Sequence, residues 1–116
     1  MIPTRDITRL NDMISYAKEA IEFGAGKSAA DLDDDRRSSL AIVRCIEVVG
    51  EAAAHVSADT RARLPDIPWP AVVGMRNILI HGYWKVAHTA IVLTVNNRLP
   101  LLVNQLEAFI AENQTP

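Results

Sequence analysis

Apolar residues recur at spacings of three and four along almost the whole chain, and this periodicity confines it to a helical fold. Ile7, Leu10, Ile14, Ala17 and Ile21 make one helix face. Leu40, Val43, Ile46, Val49 or Gly50, Ala53 and Val56 make a second. Ile91, Val92, Val95, Leu99, Leu102, Leu106, Phe109 and Ile110 make a third. No segment shows the alternation of a half-buried strand, and no repeat or low-complexity tract is present.

The punctuation agrees with this reading. Gly24 and Gly26 supply the backbone freedom of a helix C-terminus, and Ser28 followed by Asp31 suits a new helix start. LPDIPWP at 64–70 carries three prolines in six residues. A helix cannot continue through it, and Pro70 fits the first turn of the next one. The expected helices therefore end near Gly24, run from the low thirties to about His55, run briefly from Pro70 to His81, and run from about Thr89 to Ala111. Pro100 should remove the bond to the carbonyl of Asn96 and kink the last of them. At 116 residues the chain has room for a single core, so residues 1–116 form one domain. The expected fold is all-α, an antiparallel up-and-down bundle of four main helices.

Bulk properties narrow the function. No apolar run approaches the roughly 20 residues that cross a bilayer, so no membrane partner is expected. MIPTRDITRL lacks the apolar core of a secretory signal, and Cys45 has no second cysteine to pair with, which points to a reducing cytoplasm. One Cys and three dispersed His (His55, His81 and His88) lack metal-ligand spacing, so neither a metal nor another cofactor is expected. A net charge of −2 argues against a surface that coats nucleic acid broadly, while leaving room for a small basic cleft. Part of the acidic excess is local, in DLDDD at 31–35.

The chemically unusual stretch is MRNILIHGYW at 75–84, which sets Arg76, His81 and Tyr83 among Ile78, Leu79 and Ile80. Arg76 and His81 are five residues apart, about 140° around a regular helix. Convergence therefore requires the helix to end or unwind near Gly82, or the long arginine to reach around it. A pair that does meet has a defined chemistry. Histidine moves protons near neutral pH, and arginine offers a permanent planar cation to phosphate oxygens. Together they suit cleavage of RNA without a metal: a base takes the proton of a ribose 2′-OH, which attacks the adjacent phosphorus while a cation holds the added charge. One histidine leaves the departing 5′-oxygen without a proton donor, and a two-fold homodimer would supply a second copy of the pair. The plainer reading is a helix-terminal histidine that caps carbonyls.

Arg44, Glu47 and Glu51 form a charged stripe on the second helix. Such stripes ordinarily decorate a solvated face, and the alternative is that Arg44 or Glu47 supports the site. His88 reads as a residue at a helix N-terminus.

The string RNILIHGY, from Arg76 to Tyr83, resembles the R-x-x-x-x-H-x-Y signature of HEPN-domain ribonucleases, and within them the HepT toxin branch. RLNDMISYAKEAIEF at 9–23, RCIEVVGEAA at 44–53, IPWPAVVGMRN at 67–77 and LPLLVNQLE at 99–107 carry the same likeness, in order, over most of the chain. The resemblance implies that Arg76 and His81 are the ribonuclease pair in a cleft between two protomers. It implies that Tyr83 is the hydroxyl that an MntA-type nucleotidyltransferase antitoxin modifies with AMP. Bulk and phosphate charge at that place would oppose an anionic RNA. Asn77 is then a supporting hydrogen-bonding residue or a polar edge residue, and Lys85 a phosphate contact or an ordinary solvated lysine. Trp84 would stack on a base or pack at an interface. Family members often carry an acid shortly after the motif where this chain has Ala87, which leaves the local capping role of that acid without a counterpart. Two other functions fit the same residues. One is a catalytically inactive module of this fold that binds a nucleotide or a partner nucleotidyltransferase. The other is a purely structural helical dimer.

Overall fold

The computed structural model describes residues 2–77 and 88–113. Helix α1 spans Thr4–Gly24, α2 Ala29–Asp34, α3 Arg36–Ala54, α4 Ala58–Ala62 and α5 Trp69–Gly74, the last tightening into a 3₁₀ turn over Met75–Asn77. Beyond the undescribed residues, α6 (His88–Leu93), a π-helical turn (Thr94–Arg98) and α7 (Leu99–Asn113) follow one another without a loop. No strand occurs among the described residues.

The long helices form the expected antiparallel arrangement. Asp6 at the start of α1 meets Ser57 just past the end of α3, while Gly24 at the end of α1 meets Ile42 near the start of α3. Lys18 pairs with Glu107 at 2.7 Å and Gly24 approaches Val95, so α7 also runs opposite to α1. Leu10, Met13, Ala17, Ile42, Ile46, Val49, Ile91, Leu99 and Leu106 meet in the core. Each such side chain contributes about 1.5–3 kcal/mol by leaving water, except for the smaller alanine.

The periodic faces are those that the spacing predicts, apart from Leu40, which is 48% exposed. Three residues fall about 60° short of a full turn, so within α3 Leu40 lies beyond the edge of the face on which Ile42, Val43, Ile46 and Val49 are buried. A single second helix is expected from the low thirties to His55, but Asp35 ends α2 and caps α3, accepting hydrogen bonds from the amide and hydroxyl of Ser38. Ser28 and Asp31 form the reciprocal capping box that starts α2. The acids of DLDDD are thus partly consumed by helix ends. Short α4 has no counterpart in the apolar pattern. It is fastened by Asp6, which is 2% exposed and accepts from the Ser57 amide, the Ser57 hydroxyl and the Thr60 hydroxyl. Burial favours the neutral form of Asp6, but these donors outweigh it and hold its pKa below the ordinary carboxylate value.

Two prolines act as predicted, with differences of detail. Pro70 lies in the first turn of α5, which starts one residue earlier at Trp69. The break before Pro100 takes the form of a π turn. The Leu99 amide reaches back to the Thr94 carbonyl, and this extra residue per turn accommodates a proline that lacks an amide proton. Gly26 has φ +72 and supplies the left-handed residue after α1. Gly24 has another role, since a Cβ there would stand 2.9 Å from Cγ1 of Val95.

Candidate active site

Arg76 lies in the 3₁₀ turn after α5, and the placement of that turn depends on one residue of α3. A Cβ built on Gly50 would lie 2.3 Å from the Arg76 backbone nitrogen and 2.9 Å from the Met75 carbonyl carbon. No side chain fits there, so the backbone carrying Arg76 sits directly on α3. The same approach brings Arg76 beside the next residue, and its Nη1 lies 3.7 Å from Oε2 of Glu51. The arginine side chain remains 41% exposed, so its fork is still accessible to a ligand.

Glu51 also faces His55 one turn later. Nδ1 of His55 lies 3.6 Å from Oε1 of Glu51 and 2.9 Å from the Glu51 carbonyl oxygen. A carbonyl can only accept, so Nδ1 carries the proton and Nε2 is the nitrogen left to exchange one. One carboxylate therefore stands between a guanidinium and an imidazole. Glu51 and His55 also line an open cleft of 310 Å³ between α1 and α3, together with Arg9, Asp12, Tyr16 and Arg44.

The sequence candidates fall in several places. Arg76 and Asn77 share the 3₁₀ turn, with Asn77 half-buried. Arg44 reaches the cleft with 75% of its side chain exposed, whereas Glu47 is 14% exposed and faces Arg44 at 4.0 Å. His81, Tyr83, Trp84, Lys85 and Ala87 lie outside the described residues. His88 begins α6 as expected at a helix N-terminus. Its Nδ1 meets Asp33 of α2, and its Nε2 lies 2.9 Å from the hydroxyl of Ser39 on α3, which ties the start of the last helical run to both.

Glu51 and His55 are the members of the cluster that sequence reasoning does not single out. Glu51 reads as part of a solvated stripe, and His55 as the end of a helix. The available signal was the adjacent pair Gly50-Glu51. A glycine inside an otherwise good helix marks a close approach, and its neighbour then lies beside whatever approaches.

Among the described residues, no cluster of His, Cys, Asp or Glu could hold a metal ion. No helix among them is long and apolar enough to cross a membrane.

An all-α bundle that presents an arginine on a turn locked against a helical glycine defines the class of architecture. Its sequence places it more narrowly. Residues 13–109 match the family described as "Ribonuclease HepT-like", and the chain belongs to that family. It is 31% identical over 112 residues to a Methanocaldococcus jannaschii protein named "Putative RNase MJ0125", covering 96% of this chain and 97% of the relative. It is 33% identical over 73 residues to a Thermococcus cleftensis protein named "Probable ribonuclease HepT", covering 63% and 66% of the two chains. A Caldanaerobacter subterraneus relative named "Putative RNase TTE0752" is 29% identical over 105 residues, covering 90% of this chain and 94% of its own. No solved structure matches the chain significantly.

Proposed function

We infer that this chain is an endoribonuclease, the toxin of a type VII-like HEPN/nucleotidyltransferase toxin–antitoxin pair, acting in the cytoplasm. The observation that carries the reading is the presentation of Arg76. The backbone that carries a half-exposed guanidinium is held by the Gly50 contact in a member of the HepT-like ribonuclease family. A cation whose backbone is already in place has only its side chain left to order on meeting a phosphate, which favours stabilising a transition state over merely binding substrate.

In this reading Arg76 holds the scissile phosphodiester and His81, five residues on, removes the 2′-OH proton. The 2′-oxygen attacks phosphorus, leaving a 2′,3′-cyclic phosphate and a 5′-OH end. The step needs no metal ion, because charge stabilisation comes from arginine and proton transfer from histidine. A homodimer completes the site across its axis. An MntA-like nucleotidyltransferase antitoxin silences it by binding or by adding AMP to Tyr83, placing phosphate charge in the way of RNA. Asn77, Lys85, Arg44 and Glu47 are the supporting candidates.

The test is cleavage of RNA by the purified chain in EDTA, compared with Arg76→Ala and His81→Ala. Wild type should cut RNA but not DNA, and each variant should lose about 100-fold or more. A wild-type chain that cuts no RNA would leave the inactive binding module in its place. Mass spectrometry after coexpression with the nucleotidyltransferase should find AMP on Tyr83, and Tyr83→Phe should remove it.

A further inference from the structure

Arg76 stands at the rim of the cleft between α1 and α3, because Glu51 both lines that cleft and lies 3.7 Å from the Arg76 guanidinium. Resting on the ribonuclease reading above, we propose that the cleft is a nucleotide subsite for single-stranded RNA, which takes a base and a phosphate close to the scissile bond. Tyr16 stacks on the base, and Arg44 holds the phosphate. A paired base is stacked between its neighbours and cannot present its face to Tyr16, so the strand must be single.

Three observations carry the assignment. The first is an aromatic ring open to a ligand. Tyr16 is 37% exposed and lines the cleft, where Val48 and Ala52 of α3 supply apolar wall. Such a ring accepts any base, since every base has a π face. The second is the looseness of the cations. Arg9 lies 3.6 Å from Asp12, Arg44 4.0 Å from Glu47 and Arg76 3.7 Å from Glu51. The lysine pairs Lys18–Glu107 and Lys27–Asp35 close to 2.7 and 3.1 Å. None of these three arginines is within hydrogen-bond distance of its acid, so each can turn to a phosphate at a loss of about 0.2–1 kcal/mol. Arg44 is the freest, with 75% of its side chain in solvent. The third is reach. Arg44 and Glu51 are seven residues apart on α3, about 10 Å along its axis, so one strand can meet Arg44 and Arg76 together. The 310 Å³ of the cleft is at the low end for a bound small molecule and suits a single nucleoside. Asp12 and Glu51 share the walls, so phosphate attraction is weak there and the base has to supply part of the affinity.

The experiment uses the full chain and two fluorescent oligonucleotides whose riboses carry 2′-O-methyl groups, which block attack by the 2′-oxygen. One keeps its bases and the other is abasic throughout. In anisotropy titrations Tyr16→Ala should weaken binding of the first by about fivefold to 100-fold and leave the second unchanged. Tyr16→Phe keeps the ring and should bind both as wild type does. Arg44→Ala should weaken both, and its plot of log affinity against log salt should flatten by about 0.7, whereas Tyr16→Ala should keep the wild-type slope. Phe23→Ala is the control, because Phe23 is exposed on α1 outside the cleft. Equal weakening of both oligonucleotides by Tyr16→Ala, or no weakening of either, would overturn the subsite. So would dissociation of a wild-type dimer by Tyr16→Ala or Arg44→Ala in sedimentation, which would give the face to a second copy of the chain. Base-dependent binding through Tyr16 by a chain that cuts no RNA would keep the subsite and remove the nuclease. RNA cleavage by a chain that binds both oligonucleotides alike would do the reverse.

Discussion

Gly50 and Arg76, 26 positions apart in sequence, touch through their backbones so closely that a single methyl group on Gly50 would lie 2.3 Å from the Arg76 nitrogen. Everything proposed for Arg76 depends on that contact. The turn carrying it is held by α3, and the Glu51 carboxylate beside it follows from the same approach.

The first prediction concerns Gly50→Ala. In an open helix this change stabilises by about 0.5–1 kcal/mol, because alanine gives up less backbone freedom. Here the obstacle is backbone and cannot rotate away, so overpacking at about 1–3 kcal/mol wins. The urea midpoint should fall, and RNA cleavage should fall with it as the Arg76 turn is displaced. Gly74→Ala is the control, since nothing lies within 4 Å of a Cβ there. If the two variants melt alike, the contact does not hold the turn.

Glu51 competes with substrate for Arg76. Glu51→Gln removes an anion that stands beside the Arg76 guanidinium, so single-stranded RNA should bind more tightly at low salt. Exposed pairs of this kind are worth about 0.2–1 kcal/mol, which limits the gain to roughly fivefold. Fluorescence anisotropy at two salt concentrations would measure it, and the gain should shrink at the higher one. Weaker binding would show that Glu51 holds the site together rather than occupying it.

Asp6 holds α4 to the start of α1. Asp6→Ala would leave the Ser57 amide and two hydroxyls without their acceptor in a site that is 2% exposed. A loss of about 2–3 kcal/mol is expected, the range for hydrogen bonds to a buried charge. Chemical denaturation measures it. An unchanged midpoint would mean that water replaces the carboxylate without cost.

Acid should unfold the chain through a small set of carboxylates. The Ser38 hydroxyl and amide, helped by Lys27, pull Asp35 down to about 2. Ser28 lowers Asp31, and in Asp6 the Ser57 and Thr60 bonds prevail over burial. A carboxylate depressed in the folded state contributes stability above its unfolded pKa of about 4, and loses it as pH falls through the folded value. The melting temperature should therefore hold from pH 7 to about 5 and decline between about 4 and 2. Asp35→Asn should lower the plateau and flatten the decline, as followed by circular dichroism. An unaltered acid limb in that variant would exclude Asp35 from the transition.

The long helices, their buried faces and most of their ends were legible in the residue order because those signals are local; short α4 was not. Spacing of three and four places side chains on one face, Ser28 finds Asp31 three residues on, and Pro70 suits a helix start whatever surrounds it. Arg76 was marked by its motif alone. What the order of residues left open were the matters settled between segments distant along the chain. Asp35 could have continued a helix, and instead it ends α2 and caps α3. Glu51 looked like part of a solvated edge until the Gly50 contact brought Arg76 beside it. Contacts across 25 residues have no periodicity to announce them; they arise when two helices close on a place where a side chain is missing.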